Sequence, residues 1–231
     1  MDAATDKKYE SVADSTLFET VHENYSLKIL VKNGQLLWEV NNKVMMLGGH
    51  WKCHLVDYAN LQGTNNEILV GGLGLGNTSE AAVKHGNVTT VELLPELVSF
   101  YQSIMSHVPL TIEVDNMYHY VNKTNKQFDA VIFDIDLMGV CGKTNILASN
   151  KHMVAKEYIA QLKRILKPNG ALILKATEPK KGIPEMYHLL WHAGFTINRH
   201  EKREIEGDPT SNRMVYQCFN TKEVRHEKVS I

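Results

Sequence analysis

Cysteine is scarce. Cys53, Cys141 and Cys218 are the only three in 231 residues, and an odd, widely dispersed set excludes a disulfide framework and supplies no paired zinc-ligand spacing. Charge of one sign is missing too. The 25 Lys and Arg residues nearly cancel the 26 Asp and Glu residues, so the basic surplus that neutralises nucleic-acid phosphates is absent and no nucleic-acid partner is expected. No apolar run approaches the roughly 18 residues of a membrane span. The opening MDAATDKKYESVADST is polar and lacks the apolar core of a secretory signal. Four N-x-Ser/Thr triplets, starting at Asn24, Asn77, Asn87 and Asn122, are then expected to be chance matches in a reduced, cytoplasmic protein. There is also no internal repeat and no low-complexity linker.

What remains is an ordinary globular composition, 43% hydrophobic and 22% charged. Residues 1–16 carry almost no large apolar side chain and read as a lead-in. Leu27, Ile29 and Val31 then alternate with Lys28 and Lys32, and Asn33-Gly34 separates them from Leu36, Leu37, Trp38 and Val40. Asn-Gly between β-patterned runs signals a hairpin with a type I′ turn. A third strand is predicted at Lys43–Leu47, and a helix from His50 to Leu61, where Trp51, His54, Leu55, Tyr58 and Leu61 recur at helical spacing.

Strands and helices alternate beyond that point. Strands are predicted at 67–72, 88–93, 110–115, 129–136 and 171–176, and helices at Thr78–Lys84, Glu96–His107, Val154–Leu166 and Pro184–Ala193. The tail, on either side of EGDPTSN, reads as an antiparallel pair. Alternation of this kind predicts an α/β fold with a Rossmann-like doubly wound sheet and a small N-terminal antiparallel β-unit. The boundary is placed between residues 1–62 and 63–231.

Chemistry concentrates in Glu67–Leu94. A strand enters a loop holding Gly71, Gly72, Gly74 and Gly76, a helix follows, and Glu92 ends the next strand. Glycines permit a sharp turn and close approach of a ligand, and a strand-end acid about twenty residues on can accept bonds from ribose hydroxyls. The glycines lack the G-x-G-x-x-G phase of a dinucleotide fingerprint, since Asn77 stands three after Gly74. Asp115, then Asp134 and Asp136, place more carboxylates at successive strand ends, which suits a cationic nucleoside better than a diphosphate. S-adenosylmethionine, with its sulfonium and ammonium groups, fits that description.

With VGGLGLGNTSEA, VELLPELV, VDNMYHYV, FDAVIFDIDLMG and YIAQLKRILKPNGALIL in view, the chain resembles the class I S-adenosylmethionine-dependent methyltransferase superfamily. Within it the chain is most similar to the spermidine synthase (aminopropyltransferase) branch. The resemblance implies a cofactor site of Gly71, Gly72, Gly74, Gly76, Glu92, Leu93, Asp115, Asn116 and Asp134. Glu92 would meet the ribose and Asp115 the adenine. Asp134 would align and deprotonate the nucleophile; Asp136, at the same strand end, is a second catalytic candidate that could instead serve the following turn. The Asp134-Ile-Asp136-Leu-Met-Gly139 segment departs from the branch's D-x-x-D-P-x-G by one residue and a missing proline, and no polyamine-binding tyrosines stand out. Methyl transfer to a small molecule is therefore the leading expectation. Aminopropyl transfer from decarboxylated S-adenosylmethionine, intramolecular cyclisation releasing methylthioadenosine, and a catalytically silent binding subunit are the alternatives.

Other features carry less. His50 and His54 lie four apart but have no third ligand at a convincing spacing, so no metal is expected. Tyr118 and His119 either border the adenine or open a helix. Residues 141–152 form a polar loop that either gates the substrate or merely connects. The β-unit leaves room for a homodimer.

Overall fold

The structure, a computed structural model, describes residues 13–22, 25–47, 54–105, 107–135, 156–177, 185–202 and 213–221. Asp136, His50, Trp51, Cys53 and the 141–152 segment lie outside the described residues.

Four antiparallel strands come first: β1 (Ser15–His22), β2 (Tyr25–Lys32), β3 (Gln35–Val40) and β4 (Lys43–Leu47), paired in that order. Asn33 and Gly34 take φ of 51° and 72°, and Asn41 and Asn42 take 50° and 61°. Paired left-handed residues of this kind make the tight turns whose twist matches that of the flanking strands. Strand β1 is an addition to the expected hairpin unit. Its Leu17 and Val21 are exposed, so an edge strand facing water carries little of the apolar alternation that reveals inner strands.

The second sheet has seven strands. In chain order they are β5 (Asn66–Gly71), β6 (Gly86–Glu92), β7 (Leu110–Val114), β8 (Phe128–Phe133), β9 (Leu166–Thr177), β10 (Thr196–Lys202) and β11 (Arg213–Phe219). Across the sheet they run β10-β11-β9-β8-β5-β6-β7. Strands β5 to β9 are mutually parallel, while β11 lies antiparallel to both neighbours. The chain thus starts at β5, winds outward to β7, and returns to β8 on the other side of β5. That reversal opens a crevice above the β5 and β8 tips, where open α/β sheets bind ligands.

Helices cover both faces. Helices α1 (His54–Tyr58), α2 (Asn77–Val83) and α3 (Pro95–Met105) lie on one face, and α4 (Met117–Lys123), α5 (Lys156–Arg164) and α6 (Glu185–His192) on the other. Ile68, Leu69, Val70, Ala130, Val131 and Ile132 are fully enclosed as a result, which is why β5 and β8 read as continuous apolar runs instead of alternating ones. Each large side chain so buried contributes about 1.5–3 kcal/mol. The adjacent cations Lys163 and Arg164 close two helix ends. The Lys163 ammonium donates to the Ala193 and Gly194 carbonyls after α6, and the Arg164 guanidinium to the Val121 and Thr124 carbonyls at the end of α4.

The β-unit packs on the larger sheet's helical layer. Leu27, Ile29, Val31 and Leu36 form one apolar cluster with Leu75, Leu94 and Leu97. Helix α1, in contrast, packs through Leu55 and Val56 against Ile68, Val70 and Ile173. Among the described residues no helix is long and apolar enough to cross a membrane.

Candidate active site

The glycine loop rises from β5 at the switch point. Gly72, Gly74 and Gly76 all have positive φ, at 88°, 53° and 85°. At Gly72 a Cβ would stand 3.2 Å from the Asp134 carbonyl oxygen, and at Gly76 it would collide with the Tyr101 ring. Glycine at these two positions is therefore demanded by the chain's own packing before any ligand is considered. The loop's two leucines turn away from each other. Leu73 joins Val98 and Tyr101, whereas Leu75 joins the β-unit.

Two of the strand-end acids are wired to this loop. Glu92, almost fully buried, accepts the Leu73 amide on Oε2 at 2.9 Å and the Leu94 amide on Oε1 at 3.0 Å. A carboxylate offers about four acceptor sites, so this pair of bonds fixes the side chain and leaves capacity for hydroxyl donors. The Asp134 amide donates to the Gly71 carbonyl at 3.0 Å, and its Oδ2 accepts the Thr78 hydroxyl at 2.5 Å.

Asp115 follows β7 beside Glu92, its amide donating to the Glu92 carbonyl at 2.9 Å. Its carboxylate pairs with the Lys123 ammonium and accepts the Asn116 amide at 2.8 Å. Burial pushes this carboxyl up, but Lys123 and the Asn116 amide outweigh it and hold Asp115 below the ordinary carboxylate value. The Asn116 side chain is the N-cap of α4, accepting the Tyr118 amide at 2.8 Å. Leu93 is half exposed next to Glu92, and Val114 is similarly exposed next to Asp115.

The glycine loop, Glu92, Asp115 and Asp134 thus converge on one end of the sheet. Tyr118 and His119 lie in α4, and the Tyr118 ring packs at a 45° tilt on Tyr158 with centroids 5.0 Å apart, while Tyr158 meets Phe133 edge-on at 6.3 Å. Burial, with Tyr118 adjacent, pushes the Tyr158 phenol far up, and burial beside Glu80 does the same to Tyr101. Neither tyrosine is a proton acceptor at neutral pH. Thr78, Tyr101 and Lys123 escape a reading of the sequence, because nothing in the spacing links Thr78 to a partner 56 residues away. Among the described residues no group of three His, Cys, Asp or Glu is placed to hold a metal ion.

Three carboxylates at neighbouring strand tips, with Lys123 as the cation paired to one of them, suit a positively charged ligand. An orienting acid tied to a glycine loop suits a nucleoside.

No protein-family model matches the chain, and no curated protein matches its sequence. Likeness is found among solved structures. A spermidine synthase in complex with the transition-state analogue AdoDATO aligns with a TM-score of 0.67 at 13% identity, covering 91% of this chain and 75% of that one. Spermidine synthase from Thermotoga maritima gives 0.63 at 13% identity, with 91% and 74% covered. The N-methyltransferase NodS from Bradyrhizobium japonicum WM9 gives 0.58 at 13% identity, with 73% and 93% covered. Residues from α1 onward make up only about three-quarters of the chain, so the match to the synthases extends into the β-unit. The molecule thus has the Rossmann-like fold shared by spermidine synthases and class I S-adenosylmethionine-dependent methyltransferases, with the N-terminal β-unit included in its likeness to the synthases.

Proposed function

We propose that this protein is a transferase that uses S-adenosylmethionine to alkylate a small-molecule nucleophile, methyl transfer being the leading reaction. The observation that carries the reading is the convergence of Glu92, Asp115 and Asp134 around the glycine loop at the switch point. The bound sulfonium nucleoside supplies an electrophilic carbon attached to a sulfur that departs as a neutral thioether.

The chain's own residues do the rest. Glu92, already held by two amides, accepts the ribose hydroxyls, each charge-assisted bond contributing about 1.5–3 kcal/mol. In this reading Asp115 bonds the adenine amino group, and the exposed Leu93 and Val114 beside the two acids offer apolar surface for the ring. Asp134 aligns the nucleophile and accepts its proton as the new bond forms. Since the leaving group is good, alignment is the larger part of catalysis.

A second reading is favoured by one observation: the synthase likeness takes in the β-unit, whereas NodS covers a smaller share of the chain. It is aminopropyl transfer from decarboxylated S-adenosylmethionine, or the related intramolecular displacement. Incubation with each sulfonium nucleoside and a pool of small amines, followed by mass spectrometry of the nucleoside product, separates the two. S-adenosylhomocysteine supports methyl transfer, and methylthioadenosine alone supports the second reading. Absence of both products, with no calorimetric binding of either nucleoside, would leave a silent binding subunit. Asp134→Asn is expected to slow product formation at least tenfold while nucleoside affinity changes less than threefold. Undiminished turnover would place the proton acceptor elsewhere.

A further inference from the structure

Helix α2 begins at a left-handed Gly76 that offers no side-chain cap. Its first-turn residues spend their polar groups outward instead, each on a different neighbour. The Thr78 hydroxyl donates to Asp134 at the tip of β8. The Ser79 hydroxyl bonds that of Thr90 in β6 at 2.8 Å. Glu80 accepts the Tyr101 hydroxyl of α3 at 3.0 Å. One helical turn therefore ties the glycine loop to the strand that carries the nucleoside acid, to the helix behind the loop, and to the acid facing the nucleophile.

We propose that Thr78 is the positioning residue for Asp134, an inference that rests on the functional reading above. The hydroxyl is a buried donor in the first turn of α2, and its bond to the carboxylate holds that side chain in one orientation. Asp134 sits where β8 ends, and its side chain has several staggered rotamers in principle. The Thr78 bond selects among them the one in which Oδ2 faces α2, and so orients the other oxygen toward the nucleophile. In the reaction the nucleophile's electron pair forms the bond to the transferred carbon, the carbon–sulfur pair leaves on sulfur, and the nucleophile's proton passes to Asp134. Thr78 touches none of these atoms and acts on the reaction through Asp134.

The test is a mutant cycle on the full chain, with whichever sulfonium nucleoside and amine pool yields product for the wild type. Thr78→Val keeps the side chain's shape and removes the donor, and is expected to lower kcat at least tenfold while the calorimetric dissociation constant for the nucleoside stays within threefold. Thr78→Ser should recover kcat to within about threefold of wild type. Thr78→Val added to Asp134→Asn should cause little further loss, because the two residues act as one unit. The same cycle in urea unfolding, with no nucleoside present, should show the Thr78–Asp134 coupling directly as non-additive midpoint shifts. Multiplicative losses of kcat, or Thr78→Ser as slow as Thr78→Val, would overturn the assignment while the functional reading stands. If the wild type binds neither nucleoside, the functional reading falls and takes this role with it.

Discussion

Glu92 is committed twice over. It holds the Leu73 and Leu94 amides, which shapes the glycine loop, and in the proposed function it also receives the ribose. Glu92→Gln is isosteric, but its amide nitrogen must then face one of those two N–H groups, leaving a donor without an acceptor. Loss of about 1–3 kcal/mol of stability is expected, read by urea unfolding, together with at least tenfold weaker nucleoside binding by calorimetry. A variant with unchanged affinity would remove Glu92 from the ribose contact. This acid was legible in the sequence because a glycine-rich turn and an acidic strand end stand at a spacing that βαβ geometry dictates. The Thr78, Glu80 and Tyr101 contacts were not, since each joins residues that only the folded sheet makes neighbours. The cap that Asn116 supplies to α4, accepting the Tyr118 amide, was likewise visible only once the helix start was in view.

Among the elements, the β-unit and the glycine loop share a core. Ile29 is essentially enclosed, and its cluster includes Leu75 of the loop and Leu97 of α3. Ile29→Ala is expected to cost about 2–5 kcal/mol and to weaken nucleoside binding as well, because Leu75 loses the surface against which it is seated. Unchanged binding in a folded but less stable variant would show that the loop stands without this support. The sheet's inner strands were legible through their apolar runs, and the first tight turn of the β-unit through Asn33-Gly34. Strand β1 was hidden by its watery edge position. Helix α4 is only seven residues long, and its Met117, Tyr120 and Val121 stripe spans too little sequence for periodicity to assert itself. Strand β9 begins five residues ahead of its apolar run, since Pro168, Asn169 and Gly170 read as a turn; Asn169, at a φ of 63°, sits where the register with β8 shifts.

For the molecule as a whole, carboxylates set the response to acid. The Lys126 ammonium and then the Asn87 amide hold Glu67 below its usual 4.5, and Asp115 is likewise held low. A depressed folded value contributes stability above the unfolded value and loses it as pH falls through the folded one, so the thermal midpoint should drop below about pH 4. Glu80 works in the other direction. Burial raises it, the Tyr101 hydroxyl offsetting only part, so its contribution is present at low pH and lost as pH rises through the folded value. Glu80→Gln should therefore melt higher than wild type near pH 7, with the gap closing in acid; a gap independent of pH would contradict the assignment.

The strand order has a consequence for biosynthesis. Strand β11, the last of the described strands, is threaded between β9 and β10, and its Tyr216 and Cys218 are wholly enclosed. A ribosome that has yet to extrude residues 213–219 holds a nascent polypeptide whose β9 flank is bare and sticky, so this edge of the sheet is stitched only after both of its neighbours have been made.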